Sequence, residues 1–417
     1  MHQPPGSGPR KVLQVSAFED LRLTEQVLAL AAGLVEAGDE VTTAGPATAR
    51  LRTRFTRQGL PLALLNWSPE KDPEEAIAKL TRLLATGEFS LLHAHEAPAL
   101  RLALAVLSRL KPAQRVPVVA HLHRLPADLT SLARWRESRR LRTLLRPCAA
   151  VAVPSSAHQE ALAELIGPAG QAAEVLHPII ATRKPVSGAE AGFLRHRFGV
   201  SGHAALVGIS TAFAEGEAEI FLRAARQVLE ALANLEFVVI GDGPGLAVCQ
   251  ELVHDLGLGG ATVFISPPRS LTEILSIVNV LVALGESGGV YVDALQALQF
   301  ELPVVTPALA PLREILPLFP QAHVLEELTP AALAAGIGAA LHSIPEAGAA
   351  LASAGSGGVP TLVEFMGGNQ VWELDKDWEG GAATANSASQ ILALQEYSAQ
   401  SVIRRLRALH DRALALP

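Results

Sequence analysis

Short apolar segments alternate with helical patterns along this chain, and the whole alternation occurs twice. The strand-like segments are rich in β-branched residues, and between them Leu, Val and Ala recur at the spacing of one helix face. Strand–helix–strand order predicts a parallel sheet with helices on both sides, the doubly wound α/β class. The predicted strands lie at 11–17, 40–44, 90–95, 116–121 and 149–153, and again at 205–210, 236–241, 262–265, 278–283 and 302–306.

A segment containing prolines and glycines, residues 177–201, separates the two runs and indicates an interdomain connection. We therefore predict an N-terminal domain at 1–180, a C-terminal domain at 181–395 and a closing Arg-rich helix within 396–417. A Gly-, Ala- and Ser-rich stretch that contains two tryptophans, at about 355–389, is interpreted as an insertion in the second domain. Two Rossmann-like domains in tandem predict a central cleft that faces the carboxyl ends of both sheets.

The composition argues against several classes of function. A formal net charge of -7 and a pI of about 6.0 disfavour a general nucleic-acid binder. The cysteines, Cys148 and Cys249, have no metal-ligand neighbours at useful spacing, so neither a disulfide framework nor a zinc site is expected. The N-terminus lacks the apolar run of a secretory signal, and no stretch has the roughly 20 apolar residues that span a bilayer. We therefore expect a cytoplasmic protein.

Several motifs occur in an order that resembles one enzyme family. In the first half they are KVLQVSA, LAAGLVEAGDEVTTAG, SLLHAHEAPA, VPVVAHLHR and AAVAVPSSAHQEAL. In the second half they are ALVGIS, FVVIGDGP, TVFISPP and IVNVLVALGESGGVYVDALQALQFELPVVTP, followed by YSAQSVIRRLRALHDRAL. The ordered set resembles the GT-B glycosyltransferases of the family-4 type over nearly the whole chain.

The resemblance implies transfer of a sugar, with retention, from a nucleotide-sugar donor to an acceptor. It implies that the C-terminal domain holds the nucleotide, that the N-terminal domain presents the acceptor, and that the last helix packs back on the N-terminal domain. No metal cofactor is expected, because in this family an Arg, a Lys and a helix N-terminus neutralise the leaving pyrophosphate. Expected partners are the nucleotide-sugar and a glycan or lipid-linked acceptor.

The cationic clamp of the family is altered in this chain. The clamp would follow the first strand of the second domain, in the segment that begins with Gly208. Its Arg position falls on Ile209 or Ser210, and its Lys position falls on Glu215. A carboxylate beside a pyrophosphate repels it, which should cost several kcal/mol of leaving-group stabilisation.

The acidic pair of the family is altered as well. An ungapped alignment places the two acidic positions on Gly288, next to Gly289, and on Gln296, whose amide could still bond a ribose hydroxyl. Glu286 lies just upstream and is an alternative from a reshaped turn. The turn glycines Gly241 and Gly243, close to the nucleotide base in relatives, are present.

The N-terminal half also departs from the family, because Leu21 and Arg22 occupy the positions of its Gly-Gly pair. By contrast, His123 matches the strand-end histidine near the reacting sugar and is the candidate catalytic residue; a structural histidine at a loop is the alternative. His93 and His95 alternate on one strand face, a spacing that could bind a metal. No third ligand is evident in the sequence, so a structural role is expected for both.

A basic helix at 132–146, with six arginines beside apolar residues, could contact an anionic membrane surface peripherally or be a solvated helix face. Two functions remain open. One is an active glycosyltransferase with unusual donor handling. The other is a catalytically inactive pseudo-glycosyltransferase that binds or scaffolds a partner, such as an active glycosyltransferase. A different GT-B activity, such as that of an epimerase, has no specific support.

Overall fold

The computed structural model of the protein divides into two compact units, residues 1–179 with 395–417 and residues 180–394. The structure describes residues 9–18, 21–68, 72–126, 130–181, 186–211, 213, 216–241, 243, 245–265, 271–285, 290–344 and 388–415. The interpreted insertion at about 355–389 lies outside the described residues, except for its last two positions, which begin a helix.

Each unit contains one fully parallel sheet. The first has seven strands in the order β3-β2-β1-β4-β5-β6-β7, and the second has six in the order β10-β9-β8-β11-β12-β13. The first sheet consists of β1 (Lys11–Ser16), β2 (Glu40–Pro46), β3 (Leu62–Leu65), β4 (Leu91–His95), β5 (Val118–His121), β6 (Ala150–Val153) and β7 (Glu174–Val175). The second consists of β8 (Ala205–Ser210), β9 (Leu235–Ile240), β10 (Thr262–Ile265), β11 (Val280–Val282), β12 (Val304–Pro307) and β13 (Ala322–Leu325).

Helices connect the strands and cover the sheets. In the first unit they are α1 (Leu21–Glu36), α2 (Ala49–Arg57), α3 (Glu74–Thr86), α4 (Glu96–Arg109), α5 (Ser131–Leu145), α6 (Ser156–Ile166) and α7 (Pro168–Gln171). There follow α8 (Gly188–Phe198), α9 (Glu217–Ala231), α10 (Leu246–Asp255), α11 (Leu271–Leu275), α12 (Val290–Gln299), α13 (Pro330–His342), α14 (Ala388–Gln395) and α15 (Ala399–Ala415). No helix in the described part of the chain is both long and apolar enough to cross a membrane.

The doubly wound α/β class predicted from the sequence is confirmed, and every predicted strand is present. Three strands were missed: Leu62–Leu65, Glu174–Val175 and Ala322–Leu325. Each lies at an edge of its sheet and has at most four residues. Four residues are too few to show the alternation of a strand or the 3.6-residue period of a helix.

The closing helix α15 belongs to the first unit and completes one of its two apolar layers. Its residues Ile403 and Leu406 are buried with Val12 of β1 and Val119 of β5. The approach to α1 is close, because a Cβ at Gly33 would lie 2.5 Å from Cγ1 of Ile403. This sheet face, between α1 and α15, also carries the polar groups described next.

Candidate functional site

Polar side chains collect at the carboxyl ends of β4 and β5, which are adjacent strands of the first sheet. The parallel register pairs His95 with His121, so the two imidazoles project from the same face. His93 lies two residues earlier on β4 and shares that face, and His123 follows just after the end of β5. Four histidines therefore lie together at the carboxyl ends of these strands, and the ring centroids of neighbouring pairs are 3.8–5.6 Å apart.

His123 is held in position by β4 and by the residue that follows it. The backbone N–H of His123 donates to Oε1 of Glu96 at 2.9 Å, and Nε2 of His123 lies 3.0 Å from Nδ1 of His95. Glu96 is buried and has a φ of 70°, a left-handed conformation that costs a non-glycine residue about 1 kcal/mol or more. Strained residues of this kind concentrate at functional sites, and here the strain directs a carboxylate at the backbone of His123.

The imidazoles at this edge are uncharged near neutral pH. Burial lowers the pKa of His93 to about 3 and, with smaller contributions from neighbouring cationic groups, that of His123 to about 3. Burial likewise holds the pKa of His95 and of His121 well below its ordinary value. Nε2 of His123 already bonds to Nδ1 of His95, so the neutral ring has Nδ1 left for one hydrogen bond, which suits it to a sugar hydroxyl rather than to an anion.

These pKa shifts predict that the first unit loses stability in acid. Unfolded His93 titrates near 6.5 and folded His93 near 3, so between these values the unfolded chain binds more protons. The free energy of unfolding therefore rises with pH across this window, and lowering the pH to 5 should cost about 2 kcal/mol for this histidine alone. Urea unfolding at pH 7.5 and pH 5 measures the difference. Equal midpoints at the two pH values would contradict the prediction, and His93→Leu should reduce the slope.

Three of the histidines are placed as metal ligands would be. One ring nitrogen from each of His93, His95 and His121 lies within 4.8 Å of the other two, and all three residues are buried. No third ligand is evident beside His93 and His95 in the sequence, and the structure places His121 there. The sequence could not supply His121, because its proximity depends on the register between β4 and β5, which local patterns do not encode.

In the second unit, the clamp positions predicted from the sequence lie in the sheet interior. Gly208 is inside β8, where a Cβ would be 3.2 Å from Cγ1 of Val278. Ile209 is fully buried in the apolar core, and Ser210, the last residue of β8, is buried too. Neither position supplies a cation, and Glu215, the expected Lys position, lies outside the described residues together with Glu286, Gly288 and Gly289.

Gln296, for which a ribose contact is predicted, bonds to the backbone of its own unit. Its Oε1 accepts from the backbone N–H of Ala181 at 2.6 Å, and its Nε2 donates to the carbonyl of Ala181 at 2.7 Å. Gln296 is buried on α12, so these two hydrogen bonds hold the start of the second unit against its core. A Glu at this position would lack the donor that the Ala181 carbonyl requires.

A carboxylate that the sequence analysis missed occupies the start of α9. Glu217 is the first residue of that helix and is buried, and its Oε2 accepts from Oγ1 of Thr211 at 3.4 Å. A Cβ at Gly285 would lie 1.8 Å from Oε1 of Glu217, so the glycine makes room for the carboxylate. The amide dipoles at a helix N-terminus favour an anion, and in this structure a side chain of the protein supplies it.

The turn glycines after β9 pack against the backbone of a neighbouring loop. A Cβ at Gly241 would lie 2.0 Å from the carbonyl oxygen of Thr211, and one at Gly245 would lie 2.6 Å from that of Phe213. Phe213 itself has a φ of 55° and is buried. Gly243 lies in the same turn, and its carbonyl accepts from the N–H of Leu246. Close backbone packing thus accounts for the glycine at 241 without a ligand.

Gly241→Ala is therefore expected to destabilise the second unit by about 3 kcal/mol, because the added methyl overlaps a backbone oxygen that cannot rotate away. Gly259→Ala is the matched control, since a Cβ there meets nothing within 4 Å. Urea unfolding of the two variants and the parent chain measures the difference. Equal stability of Gly241→Ala and the parent chain would show that the turn has room for a side chain.

The two parallel-sheet units and the strand-end histidine define a protein of the GT-B class. The model of Glycosyltransferase Family 4 matches residues 24–184, and the model of glycosyl transferases group 1 matches residues 206–355. Together they cover most of both units. The chain belongs to the GT-B glycosyltransferases of the family-4 type, as the motifs indicated.

Solved structures share the fold over nearly the full length at low sequence identity. HepE from Anabaena, in complex with UDP and glucose, is 16% identical with a TM-score of 0.68, covering 96% of this chain and 98% of its own. A glycosyltransferase from Rickettsia africae is 11% identical with a TM-score of 0.68, and the match covers 98% of this chain and 100% of the Rickettsia chain. Sucrose-phosphate synthase from Thermosynechococcus elongatus is 14% identical with a TM-score of 0.65, covering 97% and 99%. Comparison with curated proteins gave no match.

Proposed function

We propose that the protein transfers a glycosyl group from a nucleotide-sugar donor to a glycan or lipid-linked acceptor, with His123 as its catalytic residue. The observation that carries this proposal is the arrangement of His95, Glu96 and His123. A buried carboxylate in a strained backbone conformation and a second imidazole both fix the orientation of His123. Backbone strain of this kind concentrates at functional sites, which supports a role for this group in activity.

The nucleotide-sugar as donor class is supported by the family and by the UDP complex of HepE. In the absence of the Arg and Lys clamp, the donor phosphates would depend on backbone N–H groups and on the N-terminus of α9, where the carboxylate of Glu217 would oppose them. Weaker stabilisation of the leaving group predicts slow turnover.

A second candidate function is that of a catalytically inactive relative that binds a partner glycosyltransferase. Three observations favour it: Ile209 is in the apolar core, Gln296 is committed to the backbone of Ala181, and Glu217 places a carboxylate at α9. All three remove groups that would otherwise hold a nucleotide diphosphate.

Calorimetric titration with UDP-, GDP- and ADP-sugars, combined with an assay of nucleotide release, separates the two candidates. Micromolar affinity for one donor with slow nucleotide release supports the transferase. Absence of binding to all three would overturn it and favour the inactive relative.

Glu217→Gln provides a test of the donor site. If the donor phosphates approach α9, removal of the carboxylate should raise the affinity for UDP about tenfold, or about 1.4 kcal/mol, because a repulsive charge disappears. Glu219→Gln is the matched control, since Glu219 lies on the same turn but is exposed and pairs with Arg223. Equal UDP affinity in both variants and the parent chain would place the phosphates elsewhere.

Helix α5 is proposed as the surface that meets an anionic acceptor or the membrane face. Leu132 and Trp135 are exposed on it, and Arg139 lies over the Trp135 ring at 6.0 Å. Some of its cations are already paired, including Arg134 with Glu164 and Arg140 with Glu137. Sedimentation with anionic vesicles tests this surface, and Trp135→Ser should lower vesicle binding severalfold.

A further inference from the structure

The histidine cluster beneath His123 contains more buried nitrogen atoms than the protein can bond. Both ring nitrogens of His93, of His121 and of His410 are buried without a hydrogen-bond partner in the described part of the chain, as is Nε2 of His95. A buried polar atom without a partner costs about 1–3 kcal/mol. Seven such atoms on one sheet face are therefore far more than packing alone would select, and they indicate a ligand that bonds to nitrogen.

The spacing of the rings suits a tetrahedral metal ion. With a metal–nitrogen distance of about 2.0–2.1 Å, tetrahedral ligand nitrogens are roughly 3.3 Å apart and their ring centres roughly 5 Å apart. The ring centroids of His121 lie 5.6 Å from those of both His93 and His95, and the stacked rings of His93 and His95 have centroids 4.3 Å apart. One nitrogen from each of the three is within 4.8 Å of the others, a distance that rotation about side-chain torsions can close.

The C-terminal helix contributes a fourth imidazole to the same place. His410 of α15 is fully buried, and its ring centroid lies 5.3 Å from that of His93 with the planes nearly perpendicular. The nitrogens that lie within 4.8 Å of one another are those of His93, His95 and His121, so His410 packs beside this group and not within it.

The chemistry of the possible metal ligands also indicates which ions would bind. All the groups are imidazoles, which favour zinc, copper, nickel and iron over magnesium or calcium. Burial keeps these imidazoles neutral, so their lone pairs are available without displacement of a proton. Ordered water, which prefers mixed donors and acceptors, is the competing occupant.

We propose that His93, His95 and His121 bind one divalent transition-metal ion of the zinc class, with His410 packed beside the site. The ion also acts on the candidate active site. With the metal on Nε2 of His95, the ring proton must be on Nδ1, which donates to Nε2 of His123. The metal thereby fixes the tautomer of His123, so His95 is a positioning residue for the proposed catalytic group. The site itself does not depend on glycosyl transfer.

The test measures metal content of the full-length protein directly. The chain is produced with zinc sulfate present and dialysed against metal-free buffer, and zinc is determined by elemental mass spectrometry. We expect about one zinc per chain, and at least a tenfold lower content in His121→Gln. His158→Gln is the matched control, because this histidine is in the same unit but bonds Oγ of Ser155 and should leave the zinc content unchanged.

Metal binding by the parent chain alone provides a second test, which does not require His121→Gln to fold. The parent chain, unfolded in urea with a chelator and refolded with Co²⁺, should show the visible absorption bands of tetrahedral cobalt. Its melting temperature should also rise when zinc is restored. Less than a tenth of an equivalent of zinc, no cobalt bands and no thermal shift would overturn the proposal and leave water as the occupant. Zinc retained undiminished in a folded His121→Gln would overturn the assignment of ligands.

Discussion

His123→Ala is expected to lower donor turnover by about 10²- to 10³-fold, the range for loss of a side chain that acts on the reacting group. The imidazole sits just beyond β5, with its backbone held by Glu96 and its ring by His95. Because it is neutral, it would stabilise the reacting sugar by a hydrogen bond rather than by charge. Nucleotide release from the donor that binds, with and without acceptor extracts, measures the effect.

The control for this substitution is His158→Gln, which removes a half-buried histidine of the same unit whose ring bonds Oγ of Ser155. It should retain most of the activity. A His123→Ala variant that folds and turns over donor at the parent rate would remove His123 from the mechanism. Nucleotide affinity should stay within about threefold of the parent, since the family places the nucleotide in the other unit.

Glu96→Gln should have a smaller effect than His123→Ala, because the amide oxygen can still accept from the N–H of His123. This graded pair distinguishes a group that touches substrate from one that positions it.

The fold could be predicted from the sequence because its signals are local. Strands such as 205–210 and 236–241 are continuous apolar runs, as buried parallel strands should be, and Gly38 ends its helix at a φ of 90°. Short edge strands such as Leu62–Leu65 were not predicted, because four residues show no clear periodicity. Their pairing also depends on a strand that is distant in the sequence.

Some site residues were proposed from single positions, namely His123 from a strand end and the altered clamp from Ile209, and these stay predictions. His121 and His410 join His93 only through strand register and through the packing of the last helix, which no local pattern encodes. The partner of Gln296 is similarly remote, since Ala181 is 115 residues away in the chain.

A buried carboxylate, Asp39, joins the first strand region to the last helix. Its side chain is fully buried and accepts from Nη1 of Arg10 at 3.2 Å and from Nη2 of Arg407 at 3.3 Å. Arg10 is nearly buried as well and also pairs with Asp411 on α15. Asp39 therefore links the amino ends of β1 and β2 to α15, the helix that carries His410.

Asp39→Asn should destabilise the first unit by about 3 kcal/mol, because it leaves the buried Arg10 paired with Asp411 alone and removes the partner of the part-exposed Arg407. For a unit of this size that corresponds to a fall in melting temperature of roughly 6–12 °C. Glu40→Gln is the matched control: the neighbouring Glu40 is exposed and its pair with Lys11 spans 3.7 Å, so its loss should cost under about 1 kcal/mol. Scanning calorimetry of both variants measures the contrast. Equal melting temperatures would mean that Asp411 alone neutralises Arg10, and that α15 is held by its apolar face rather than by this network.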